Sequence, residues 1–254
     1  MNDAILIEAQ PQAEPYGLFR LLLSLLGIFA LAIGLLVALM GLFALFDGLL
    51  FGWADVAGRF DVIGRDSVDQ LVMAGLIIGS AAYVAISIAV FLMARRVAGA
   101  GWRGLLGWTP FRTDAFFWRL LLVAVAYQMA AGALIRFIEP NARNWLIFPE
   151  GPLGMSSAFA LVVIFGPICE ELLFRGWIYT ALRLRYGFRP ALWTTTVLFA
   201  LVHWEATHLY ALAILPMGLL LGCLRERTGS TQATILFHAL YNFAGLAVSF
   251  LGKL

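Results

Sequence analysis

Charge is what this 254-residue chain has least of: 13% of its residues are charged, against about 25% in an ordinary soluble domain. Lysine is nearly missing, since 16 of the 17 basic residues are arginine and Lys253 is the one exception. There are three histidines and two cysteines. Each shortage excludes something. So few charges beside 62% hydrophobic residues rule out a soluble globular domain and a disordered one. No basic run is long enough to track a phosphate backbone, so nucleic acid is not an expected partner. Cys169 and Cys223 both fall in apolar segments; they cannot build a disulfide framework and are read as buried thiols. Residues 1–16 are acidic and polar, without the basic region and small-residue cleavage site of a signal peptide. They are expected to form a cytoplasmic tail, and the first apolar run to be a permanent span.

What is present is apolar length. A helix crosses the hydrocarbon core with about 20 residues. Seven runs are candidates, roughly 17–46, 70–94, 116–138, 154–184, 190–204, 208–225 and 231–252. The expected fold is therefore all-α, a polytopic transmembrane helical bundle of about seven spans. The fourth run is too long for one straight helix and carries Gly166-Pro167 in its middle. Proline removes a backbone donor and clashes with the preceding turn, so a kink or break is expected there, and a break would make eight spans. The fifth run is short, and Trp204 marks its end. Three regions follow: the tail 1–16, helices without motifs over 17–150, and a segment over 151–254 that carries the chemistry.

Orientation comes from the arginines. Arg20, Arg95, Arg96, Arg103, Arg112, Arg183, Arg185, Arg189, Arg225 and Arg227 fall on one side of the alternating spans. Arg59, Arg65, Arg136, Arg143 and Lys253 fall on the other. Ten against five places the amino terminus in the cytoplasm and favours seven crossings. The 47–69 segment, rich in Gly and Asp, is expected to be a solvated loop rather than a cation site. Trp102, Trp108, Trp118 and Trp145 lie near run ends and are read as interfacial anchors.

An ionisable residue within the bilayer is a functional candidate. Glu170 and Glu171 are adjacent, so they point about 100° apart around a helix. Glu171 and Arg175 are spaced i,i+4 and can pair, which leaves Glu170 without a local partner. Either Glu171–Arg175 is a clamp and Glu170 a free base, or the arginine bridges both carboxylates to tie helices together. His203 lies one turn after Phe199. His238 and Asn242 share one face of the last run, where Asn is also a common interhelical tie. His208, near Glu205, is expected at the interface. Together, a carboxylate, two imidazoles and a carboxamide on three helices supply a water activator and donors for an oxyanion, the two needs of peptide hydrolysis.

Three motifs stand in order: EExxxR at 170–175, FxxxH at 199–203 and HxxxN at 238–242. With Pro167 just ahead and Phe-Arg-Gly-Trp at 174–177, the set resembles the CPBP (Abi) family of intramembrane peptidases, which includes the type II CAAX prenyl endopeptidases. The resemblance covers about 165–245. It implies an all-helical fold with a conical cavity open to the cytoplasm and partly to lipid. It implies that Glu170 and His203 activate water, that His238 and Asn242 stabilise the oxyanion, and that Glu171 and Arg175 support them. It implies a peptide or lipidated, CAAX-type protein as substrate, with membrane lipid as the surroundings. A bacterial inner membrane is the expected location.

Glu170, His203 and His238 are also three potential zinc ligands with an open position. There is no HExxH, the ligands would come from separate helices, and a glutamate–histidine mechanism needs no metal. A cofactor-free enzyme is the expectation. The competing readings are a non-catalytic membrane scaffold or bacteriocin-immunity protein, and, further off, a small transporter using its carboxylates and histidines as a proton relay.

Overall fold

In the computed structural model, residues 18–51, 68–139, 151–204 and 208–251 are described. The helices are α1 (Leu18–Phe51), α2 (Val68–Ala98), the short α3 (Trp102–Leu106), α4 (Ala115–Ile138), α5 (Gly151–Tyr186), α6 (Phe188–Leu201), α7 (His208–Thr228) and α8 (Thr231–Leu251). No strand occurs among the described residues. The seven long helices match the seven apolar runs to within about five residues at each end. Stretches of five helices, those in α1, α2 with α3, α4, α5 and α7, are long and apolar enough to cross a membrane. The protein is an integral, multi-pass helical bundle. At 14 residues, α6 spans about 21 Å at 1.5 Å per residue, short of the roughly 30 Å hydrocarbon core. The expectations for residues 1–16, for the loop between Phe51 and Val68, for Trp145, for Glu205 and for the His208 side chain concern parts outside the described ones.

Small residues let the helices approach. With little hydrophobic drive between helices in lipid, close backbone packing decides association. Ile28 and Ala32 of α1 and Ala85 and Ala89 of α2 are all buried. At Gly27 an added Cβ would lie 3.0 Å from the Met93 terminal methyl. Gly218 and Gly222 form a GxxxG pair on α7, facing α6. A Cβ at Gly218 would lie 3.1 Å from Thr196 Cγ2, and one at Gly222 would lie 2.4 Å from Leu192 Cδ1.

Of the kink or break expected in the fourth run, the break does not occur: α5 is continuous from Gly151 to Tyr186. Instead it widens twice into π-helix, at Ala160–Phe165 and Leu172–Ile178. A return from i→i+5 to i→i+4 bonding leaves one carbonyl over. At the first return the Gly166 N–H still bonds Leu161 O, and Pro167 has no N–H to offer. The spare Val162 carbonyl accepts from Asn242 Nδ2 of α8 at 2.9 Å. At the second, the Arg175 carbonyl accepts from Arg225 Nε of α7 at 3.2 Å. The helix tolerates its proline because a neighbouring helix supplies the donor.

The arginine-bearing ends are fastened together. Thr231 N–H and Oγ1 donate to Gly107 O at 2.8 Å and Leu106 O at 2.6 Å. Ser230 Oγ donates to Thr109 O, and Thr109 Oγ1 donates to Gly229 O. Gly107 has φ +61°, and a Cβ there would lie 2.1 Å from Arg225 Nη2, so the turn needs glycine for both conformation and space. Asp114 caps α4 through Phe117 N–H at 2.9 Å, and that bond holds its carboxyl below the ordinary range.

Candidate active site

Glu170 and Glu171 sit on the six-residue α-helical stretch between the two π segments. They diverge as adjacent helical residues must. Glu171 is fully buried; its Oε1 accepts from Arg175 Nη1 at 3.0 Å and from His238 Nδ1 at 3.0 Å. Arg175 is also fully buried, donates Nη2 to Gly218 O at 3.1 Å, and lies 4.4 Å above the centre of the Phe199 ring. The arginine contacts Glu171 directly and ties α5 to α7 at the glycine that lets α7 come close.

Glu170 faces another way. Its Oε1 accepts from the Tyr83 hydroxyl of α2 at 3.2 Å. Its Oε2 lies 3.8 Å from His203 Nε2 and 3.9 Å from His238 Nε2. That oxygen is buried and has no hydrogen-bond partner among the described residues. A buried polar atom left so costs free energy unless something satisfies it, and a site that must receive a water molecule has that property.

The two imidazoles are oriented by their other nitrogens. His203 follows the end of α6, and its Nδ1 lies 2.7 Å from Phe199 O. A carbonyl only accepts, so Nδ1 carries the proton. His238 Nδ1 faces the Glu171 carboxylate and donates in the same way. Both Nε2 atoms therefore turn toward Glu170 with a lone pair in the neutral ring, or with a proton when the ring is charged. Phe199 holds this geometry. It is fully buried, with its ring centre 4.7 Å from that of His203, 5.7 Å from that of His238 and 5.4 Å from that of Phe174.

Glu170, His203 and His238 thus converge from α5, the end of α6 and α8. Asn242 lies one turn beyond His238, and one of its amide hydrogens is committed to Val162 O. The motifs do not reveal Tyr83, which comes from α2. An apolar hollow of about 380 Å³ lies between α4 and α7, lined in part by Leu134, Leu209 and Leu212. On the same helix α7, the Tyr210 ring centre is 6.3 Å from that of His203.

To hold zinc, the three residues would have to draw closer together. Tetrahedral donors about 2.1 Å from the metal lie about 3.4 Å apart, closer than the 3.8 and 3.9 Å found here. No group of three His, Cys, Asp or Glu among the described residues is arranged to hold a metal ion.

Among known proteins, no curated protein and no solved structure matches the chain. Residues 152–244 match one family, described as type II CAAX prenyl endopeptidase Rce1-like. That region runs from the start of α5 into α8 and contains all three motifs. The carboxy-terminal helices of this membrane protein thus match the family that its three motifs resemble.

Proposed function

We propose that this protein is an intramembrane endopeptidase that cuts lipidated, CAAX-type protein tails with a water activated by Glu170. The observation that carries the reading is the buried, unpartnered Glu170 Oε2 facing two oriented imidazole nitrogens. Water placed there gives one hydrogen to Glu170 Oε2 and the other to His203 Nε2. As its oxygen adds to the scissile carbonyl, the first proton passes to Glu170. The oxyanion forms beside His238 and Asn242. His238 donates its Nδ1 proton to Glu171, so it serves as an oxyanion donor only in its doubly protonated form, with the Glu171 carboxylate behind it. Asn242 offers its second amide hydrogen. When the C–N bond breaks, Glu170 returns its proton to the leaving amine. Preorganised donors of this kind are worth about a hundred- to a thousandfold each.

The apolar hollow between α4 and α7 suits a hydrocarbon tail, which supports a lipidated substrate. The arginines at the fastened ends of α2, α5 and α7 support a cytoplasmic placement of that end, and with it the amino terminus. No step requires a metal.

The test is cleavage by the full chain in lipid vesicles. Two peptides are offered, both ending in a CAAX sequence, one with a prenylated cysteine and one without. The prenylated peptide is expected to be cut at least about tenfold faster, and a chelator is expected to leave the rate unchanged within about twofold. Cutting of neither peptide would point to a scaffold. Loss of activity to the chelator with rescue by zinc would overturn the metal-free mechanism.

A further inference from the structure

We infer that Tyr83, from a helix outside the family-matched region, is a positioning residue that fixes the plane of the Glu170 carboxylate and so turns one oxygen toward the water. This rests on the proposed role of Glu170 as the base.

Tyr83 lies at the middle of α2, 15 residues from Val68 and 15 from Ala98, or about 23 Å from either end at 1.5 Å per residue. A phenol at that depth is costly unless its hydroxyl is used. The hydroxyl donates to Glu170 Oε1 at 3.2 Å. Glu170 then has two unlike oxygens, one held by the phenol and one facing His203 and His238. The terminal torsion of a glutamate is broad, so nothing in the side chain itself fixes the plane of its carboxylate. The bond from α2 does.

The approach is built into both helices. Gly166 lies beneath the tyrosine ring: an added Cβ would sit 3.5 Å from Tyr83 Cε2 and 3.8 Å from Glu170 Oε1. It would also press on the Leu161 carbonyl at 2.9 Å, the acceptor of the π-type bond from Gly166 itself. A larger residue would disturb the π turn and crowd the tyrosine at once. One turn along α2, Ser87 Oγ donates to Tyr83 O at 2.8 Å.

Tyr83→Phe keeps the ring and removes the hydroxyl. If the tyrosine serves packing alone, the variant cleaves as wild type does. If it positions Glu170, kcat falls about tenfold or more, the scale of a hydrogen bond to a charged group, while KM stays near wild type. A second readout needs no turnover. The infrared carboxylate band that disappears in Glu170→Gln is expected to shift in Tyr83→Phe. Wild-type kcat together with an unmoved Glu170 band would overturn this inference. If wild type fails to cut any peptide, the parent reading fails instead, and the infrared band still tests the contact.

Discussion

Glu170→Gln is expected to lower cleavage by about a hundred- to ten-thousandfold, the range of a positioned general base, with insertion and thermal stability unchanged. Glutamine keeps the length of the side chain and an oxygen that can accept from Tyr83. It cannot take the water proton. The buried ion pair stays in place, because Arg175 donates to Glu171 rather than to Glu170. The change is therefore a loss of chemistry without a loss of structure. His203→Ala is expected to cost less, since it removes the group that orients the water while leaving the base. A Glu170→Gln protein that retains a tenth or more of wild-type activity would contradict the assignment. Cleavage rates at matched protein abundance, with melting curves in detergent, decide it.

The adjacent carboxylate predicts the opposite pattern. Arg175→Met is expected to destabilise the protein by about 3–5 kcal/mol, the cost of stripping one partner from a buried ion pair. Arg175 and Glu171 are both fully buried and 3.0 Å apart. Methionine fills the space over Phe199 but leaves the Glu171 carboxylate without its arginine, and takes a donor from Gly218 O. Replacing the pair together, Glu171→Gln with Arg175→Met, removes the unpaired charge. The double variant is expected to be more stable than Arg175→Met alone, because a buried pair often contributes little beyond its own desolvation cost. Detergent melting temperatures of the three proteins check this. An Arg175→Met protein as stable as wild type would mean that the pair does not brace the bundle.

These contrasts mark how far local sequence reaches. The i,i+4 spacing of Glu171 and Arg175 is enough to suggest their pairing and to leave Glu170 apart, because both statements concern one helix. That His238 stands between the two carboxylates, one nitrogen toward each, depends on how α8 lies against α5. Pro167 suggests a kink or a break by the local rule that a lost N–H strands a carbonyl. The rule has no view of Asn242, 80 residues along the chain from Val162, which fills the gap and keeps α5 whole. The GxxxG spacing of Gly218 and Gly222 is a readable packing signal, and it is what brings the Gly218 carbonyl within reach of Arg175. Tyr83 has no such signal. It is one aromatic in an apolar run, and only the packing of α2 on α5 gives it a meaning.

The most direct test of the central claim, that Glu170 activates water and does not attack the peptide itself, is a single turnover in water labelled with heavy oxygen. Excess enzyme cleaves a prenylated CAAX peptide once, and mass spectrometry then reads the product and the enzyme peptide that contains Glu170. The account predicts one heavy oxygen in the new carboxyl group of the product and none in Glu170. Heavy oxygen in the Glu170 carboxylate, with an unlabelled product, would show a covalent acyl-enzyme and contradict it.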